Sequence, residues 1–233
     1  MGGMMKQIAQ GMWTCPAPLR FAGLKLNTRM SLCRLSEGGL ALISPVPLDE
    51  TTKASVDSLG SVRAIIAPNL LHHLYLGAWM EAYPHALSYV PLGLAEKRPD
   101  LSFTHTLDGQ SPSLIDPELR CLPIAGMPKL NEALFIHRSS KTLIAADFCF
   151  YMPDASGLSA LFASLMQVKK QPGCDILFRA MVKDKAAFKA SLAPLRALEI
   201  EHLSMCHHAV VSERAQACLD AVLDRLKVAE QRG

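Results

Sequence analysis

Three short apolar runs in this sequence each end, at the carboxyl side, in side chains able to bind a metal ion. Val62 to Ala67 leads through Pro68 to His72 and His73, Thr142 to Ala146 leads to Asp147, and Ile200 to Cys206 leads to His207 and His208. Imidazole and carboxylate supply N and O ligands suited to Zn, Fe or Mn. If the runs are strands whose ends emerge on one edge, these groups converge on one centre. Either His207 or His208 then serves as the ligand.

The elements that must position these residues are legible as alternating apolar and polar stretches. Val62 to Ala67 has the uninterrupted apolar character of a strand buried on both faces. Asn69 then opens a helix, expected from about Leu70 to Tyr83, which puts His72 and His73 in its first turn. There the helix dipole favours neutral imidazoles, as ligation requires. Adjacent residues on a helix diverge by about 100°, so both histidines on one ion require a looser first turn. Ala86 to Val90 follows as a strand, which implies a parallel crossover.

Upstream, residues 1 to 29 hold apolar pieces broken by Pro16, Pro18 and Gly23, a lead-in with a strand or two. Met30 to Leu35 and Gly39 to Ser44 form a hairpin around Ser36-Glu37-Gly38, and Asp49 to Leu59 a short helix. Downstream, Pro91 to Pro117 is a polar surface excursion with a short strand at Leu101 to Thr104. Leu119 to Ile124, Glu132 to His137 and Thr142 to Ala146 are strands, the last two joined by a turn at Arg138 to Lys141. Helices are expected at Ala155 to Val168, Lys183 to Leu198 and Ser212 to Ala229, with Ser212 as N-cap.

Composition bounds the class. Half of the 233 residues are hydrophobic and 19% are charged, which implies extensive burial and is compatible with a homo-oligomer interface. The net charge of +3 comes with no basic stripe, so nucleic-acid binding is not expected. Seven scattered cysteines without a CxxC pair suggest reduced thiols and a cytoplasmic location. No segment reaches the roughly 18 apolar residues of a membrane span, and MGGMMKQIAQGMW lacks the apolar core of a signal peptide. GxSxG, P-loop and GxGxxG motifs are absent. Glu132 and His137 bracket a strand at opposite-facing positions, His85, His105 and His202 are expected in solvent, and Cys206 reads as a buried thiol.

The order IIAPNLLHHLYL, IAGMP, SSKTLIAADFCF, HLSMCHH resembles the metallo-β-lactamase fold, specifically a divergent group known as DUF4336. The resemblance covers roughly residues 12 to 212 and implies a single domain over 1–233, a four-layer αββα sandwich with two mixed sheets and helices outside. The wider superfamily carries T-H-x-H-x-D-H after a buried strand. On that pattern Ala67 takes the threonine, Pro68 and Leu70 the first two histidines, His72 the aspartate and His73 the last histidine. Met127 takes the histidine of a downstream G-H motif. The resemblance thus implies that the first metal site is lost, which excludes two bridged ions about 3.5–4 Å apart. His72, His73, Asp147 and His207 remain for a second, mononuclear site.

Two functions are expected on these grounds. One is a metallo-hydrolase-like enzyme carrying one divalent ion (Zn, Fe or Mn) and acting on an ester, amide or phosphoester in a small-molecule substrate. The other is a metal-free binding or scaffold protein on the same frame. Iron-dependent redox or lactonase-like chemistry is a third, by analogy with the fold alone.

Overall fold

A computed structural model describes residues 4–21, 24–107, 115–174, 176–207 and 209–228. His208, Ala229 and residues 108–114 of the polar excursion lie outside the described residues.

The first sheet has seven strands in chain order: β1 (Lys6–Ala9), β2 (Met12–Phe21), β3 (Leu24–Arg34), β4 (Leu40–Ile43), β5 (Val62–Ile66), β6 (Leu87–Pro91) and β7 (His105–Leu107). β1 to β4 are antiparallel neighbours, and β4 to β7 run parallel. The second sheet is ordered β12 (Val210–Val211), β11 (His202–Met205), β10 (Thr142–Ala145), β9 (Ala133–His137), β8 (Leu119–Pro123). Its one parallel pair is β10 with β11.

Period-two alternation assigns each strand face to a layer. Ala41, Ile43, Ala64, Ile66 and Tyr89 of the first sheet meet Cys121, Ala133, Phe135 and Ile144 of the second between the sheets. The hydroxyls of Ser31 and Ser204 also bond across this layer at 2.9 Å. On the other face of the first sheet, Leu40, Leu42 and Ile65 pack on Val56 of α1 (Glu50–Leu59) and on Leu76 and Trp79 of α2 (Leu76–Ala82). On the outer face of the second, Leu134, Leu143 and Leu203 pack on three further helices. These supply Phe178 from α5 (Ile176–Ala180), Phe188 and Leu192 from α6 (Lys185–Leu192), and Leu219 and Val222 from α7 (Ala215–Arg225). The order of layers is therefore helix, sheet, sheet, helix, as the sequence resemblance implied. Two further helices among the described residues are α3 (Leu94–Lys97) and α4 (Gly157–Leu165).

Several local expectations are corrected. Leu70 to Tyr75 is not helical, and α2 begins only at Leu76. The N-terminal lead-in is a long hairpin, β2 with β3, despite Pro16 and Pro18. β1 reaches only as far as Thr14, so both prolines lie past it, on an edge where a missing N–H leaves no ladder partner unpaired. The short strand of the excursion is β7, at His105–Leu107, not at Leu101 to Thr104. The sixth helix stops at Leu192 and continues as a 3₁₀ turn, Ala193–Ala197, around Pro194. The last helix is capped at Arg214, whose φ is +61°, while the Ser212 hydroxyl lies 3.0 Å from His202 Nδ1. By contrast, Asp49 caps α1 as its type dictates, accepting from the Thr52 amide at 2.7 Å.

Candidate metal centre

β5, β10 and β11 do deliver their carboxyl ends to one place, though they belong to two sheets. The loop after β5 is stitched to the other sheet by backbone bonds: Ala133 N–H donates to Pro68 O at 2.8 Å and Leu70 N–H to Leu130 O at 2.9 Å. Asn69, fully buried, organises the next three residues of this loop. Its Oδ1 accepts from the amides of Leu71 and His72 at 2.8 and 3.0 Å, an Asx turn that fixes the path of residues 69–72.

The consequence is a compact triangle. His72 Nε2 and His207 Nε2 are 3.2 Å apart; Asp147 Oδ1 is 3.2 Å from His207 Nε2, and Asp147 Oδ2 is 3.5 Å from His72 Nε2. Ligands at about 2.0–2.2 Å from a tetrahedral ion stand roughly 3.3–3.6 Å from each other. The two imidazole nitrogens approach this, and each has one oxygen of the Asp147 carboxylate at a similar distance. Among the described residues this is the group of histidine, cysteine and carboxylate side chains spaced to hold a metal.

Both imidazoles are oriented from behind. His207 Nδ1–H donates to the Asn27 carbonyl at 2.9 Å, and its ring stacks on Phe150 at 4.9 Å between centroids. His72 Nδ1 is 2.7 Å from the Ser44 hydroxyl. Engaging Nδ1 in this way turns Nε2 toward the centre, the arrangement expected around a ligating histidine.

Beneath Asp147 lies a second carboxylate. Glu132 is buried and accepts from the backbone amides of Ala146, Asp147 and Phe148 at 3.0–3.1 Å, fixing the turn that presents Asp147. The Asn69 amide bridges the two acids, donating to Asp147 Oδ2 at 2.8 Å and Glu132 Oε2 at 3.2 Å. Burial, then the charge on Asp147, pushes Glu132 up to about 8. Burial also raises Asp147, but His72 and His207 outweigh it and hold this carboxyl well below the usual range. Two buried carboxyls with opposite displacements mark a functional centre more often than a structural one.

Of the four candidate ligands, the structure brings His72, Asp147 and His207 together. His73 is not part of the group: its Nδ1 is 3.3 Å from Arg98 Nη1. Neighbouring side chains in the turn diverge, as they also would on a helix. His73 is indeed kept toward its neutral form, but by burial and by the positive charges of Lys97 and Arg98, not by a helix terminus. Glu132 and His137 sit at opposite ends of β9, and His137 is buried between Arg34 O and the Ser140 hydroxyl. His85 and His105 are exposed and His202 is half-buried. Cys206 is a buried thiol pushed up to about 12, no nucleophile at ordinary pH. The sequence reading missed Ser44, Asn69 and the role of Glu132. The available signal was an acid or amide beside an apolar run, where burial demands several partners.

No family model and no curated protein matches the chain. Solved structures do. DIM-1 metallo-beta-lactamase exposed to ceftazidime superposes with a TM-score of 0.66 at 11% identity, over 96% of each chain. A metallo-beta-lactamase from Pontibacter korlensis gives 0.65 at 10% identity, over 97% of this chain and 99% of that one. A putative diflavin flavoprotein fragment from Nostoc sp. PCC 7120 gives 0.66 at 15% identity, over 96% of each. Matching order, layers and extent at such low identity establish architecture alone. The chain has the metallo-β-lactamase fold.

Proposed function

We propose that this protein is a metallo-hydrolase-like enzyme with a single-ion site, and that His72, Asp147 and His207 are its protein ligands. The observation that carries the reading is the convergence of His72 Nε2 and His207 Nε2, 3.2 Å apart, with one oxygen of the Asp147 carboxylate 3.2 Å from His207 and the other 3.5 Å from His72. Three protein ligands with a further position open to solvent or substrate is the pattern of catalytic rather than structural metal sites. Zn, Fe or Mn suits the set, and two histidines with one carboxylate also suit iron(II). When bound, such an ion polarises a carbonyl or phosphoryl oxygen and acidifies water, which fits hydrolysis of an ester, amide or phosphoester.

The chain's own residues supply the rest. Ser44 and the Asn27 carbonyl hold the two imidazoles, while Asn69 and the Glu132-bound turn hold the carboxylate. The apolar wall formed by Leu71, Phe150 and Phe162 limits water at the centre. Buried Met127 stands where the wider superfamily has a first-site histidine, which supports one ion over two. The same replacements, with the motif order, support placement in the divergent DUF4336-like group.

The lost first-site positions also favour a second reading, a binding or scaffold protein without turnover. A panel of p-nitrophenyl esters and p-nitrophenyl phosphates, assayed with Zn, Mn or Fe(II) restored to stripped protein, separates the two. The enzyme reading expects metal-dependent hydrolysis that Asp147→Asn abolishes. No hydrolysis of any member favours the scaffold, and hydrolysis indifferent to metal and to Asp147→Asn contradicts the single-ion site.

A further inference from the structure

A cavity of about 400 Å³ opens over the triangle, within the roughly 300–1,000 Å³ of small-molecule sites. His72, Asp147 and His207 are among the residues that line it. Its walls are apolar: Leu71, Leu74, Phe150, Phe162, Leu177 and Met181. Three of these wall residues are held partly in water, Leu71 at 50%, Leu74 at 62% and Leu177 at 56% exposure. Phe162 belongs to α4, which carries no charged residue and presents Leu158, Leu161 and Leu165 to solvent at i, i+3, i+7 spacing. Apolar surface thus runs from the wall of the cavity at Phe162 out along α4. Two exposed cations, Arg20 and Lys97, also line it.

Exposed leucine beside a concave apolar wall is unfavourable unless something covers it in the working state. A flat patch suits a membrane or a protein face; a concave, half-open volume with polar and apolar lining suits a small molecule that has both. We infer that the cavity receives an amphiphile, its hydrocarbon chain along Leu71, Leu74, Phe162 and Leu177 and its polar group at the His72–Asp147–His207 floor. The substrate class is then an acyl- or alkyl-chain compound of medium length, with a carbonyl or anionic head matched to Arg20 and Lys97. This rests on the single-ion reading for the chemistry of the head, while the chain site stands on the walls alone.

The test is a fluorescence titration of the full chain with 11-(dansylamino)undecanoic acid, then competition with straight-chain carboxylates from butyrate to decanoate. Expected is saturable one-to-one binding, and competition that tightens about fourfold per added methylene. Leu74→Glu and Leu177→Glu, at exposed positions that folding does not depend on, weaken binding roughly tenfold each. The titration is run on metal-stripped and on Zn-loaded parent protein, with metal uptake measured apart. Chain-length-dependent binding without metal uptake sinks the single-ion reading alone, and metal uptake without such binding sinks this one alone. Unsaturable uptake, competition indifferent to chain length, variants that bind as the parent does, or capture only by phosphatidylcholine vesicles would overturn the inference.

Discussion

His72 Nε2 and His207 Nε2 face each other across 3.2 Å although 135 positions separate them in the chain. They come from loops on two different sheets, and each ring is held by Nδ1 from behind. Two imidazole nitrogens at this distance, with a carboxylate oxygen beside each, are the geometry on which the proposed single-ion site rests.

The support behind His72 is testable without touching a ligand. Ser44→Ala removes the 2.7 Å bond to Nδ1 and leaves Nε2 in place. Affinity for Zn, measured by competition with a chromophoric chelator, is expected to fall roughly 10- to 100-fold with little change in thermal stability.

Glu132 should matter to folding more than to binding. Glu132→Ala strands three buried amides, those of Ala146, Asp147 and Phe148. At about 1–3 kcal/mol per unsatisfied group, the loss is expected to exceed 3 kcal/mol in urea denaturation. Glu132→Gln, which keeps an acceptor oxygen, should retain more stability than the alanine variant.

Gly126 cannot be replaced. Its φ is +77°, and an added Cβ would clash with the Asp184 carbonyl and lie 3.1 Å from the Phe188 amide. Gly126→Ala combines left-handed strain with a backbone clash at the start of α6. A loss of roughly 2–4 kcal/mol is expected, read as a lowered urea midpoint.

His137 predicts a pH dependence away from the metal centre. Burial lowers its pKa below the ordinary 6.5, against the opposing hydrogen bond to Arg34 O and the charges of Glu118 and Asp116. Its contribution is therefore complete above pH 6.5. As pH falls below that value, the unfolded chain takes up the proton first and the contribution is lost. Urea midpoints of the parent should fall from pH 7 to pH 5 more steeply than those of His137→Gln.

The strands were legible because each apolar run is short, β-rich and bounded by turn residues. The positions of Val62–Ile66, Ala133–His137 and Thr142–Ala145 follow directly. The convergence of His72, Asp147 and His207 was legible too, as three strand ends. The start of α2 was not. Periodicity points to a helix from Leu70, and so does an Asn69 that bonds the Leu71 and His72 amides as an N-cap does. Yet the chain stays in turns until Leu76, while Leu70 N–H is tied to the Leu130 carbonyl. The loss of His73 from the group comes from that same loop geometry. Glu132 was hidden because its partners are backbone amides 14 to 16 positions away, which no side-chain pattern announces.

The central claim is that one ion is held by His72, Asp147 and His207, with His73 outside. Elemental analysis of protein purified without a chelating tag, and again after loading with Zn, tests it directly. Predicted is close to one equivalent in the parent and in His73→Ala, and little in Asp147→Asn and His207→Ala. A parent that takes up no metal, or a His73→Ala variant that loses it while Asp147→Asn does not, would contradict the account.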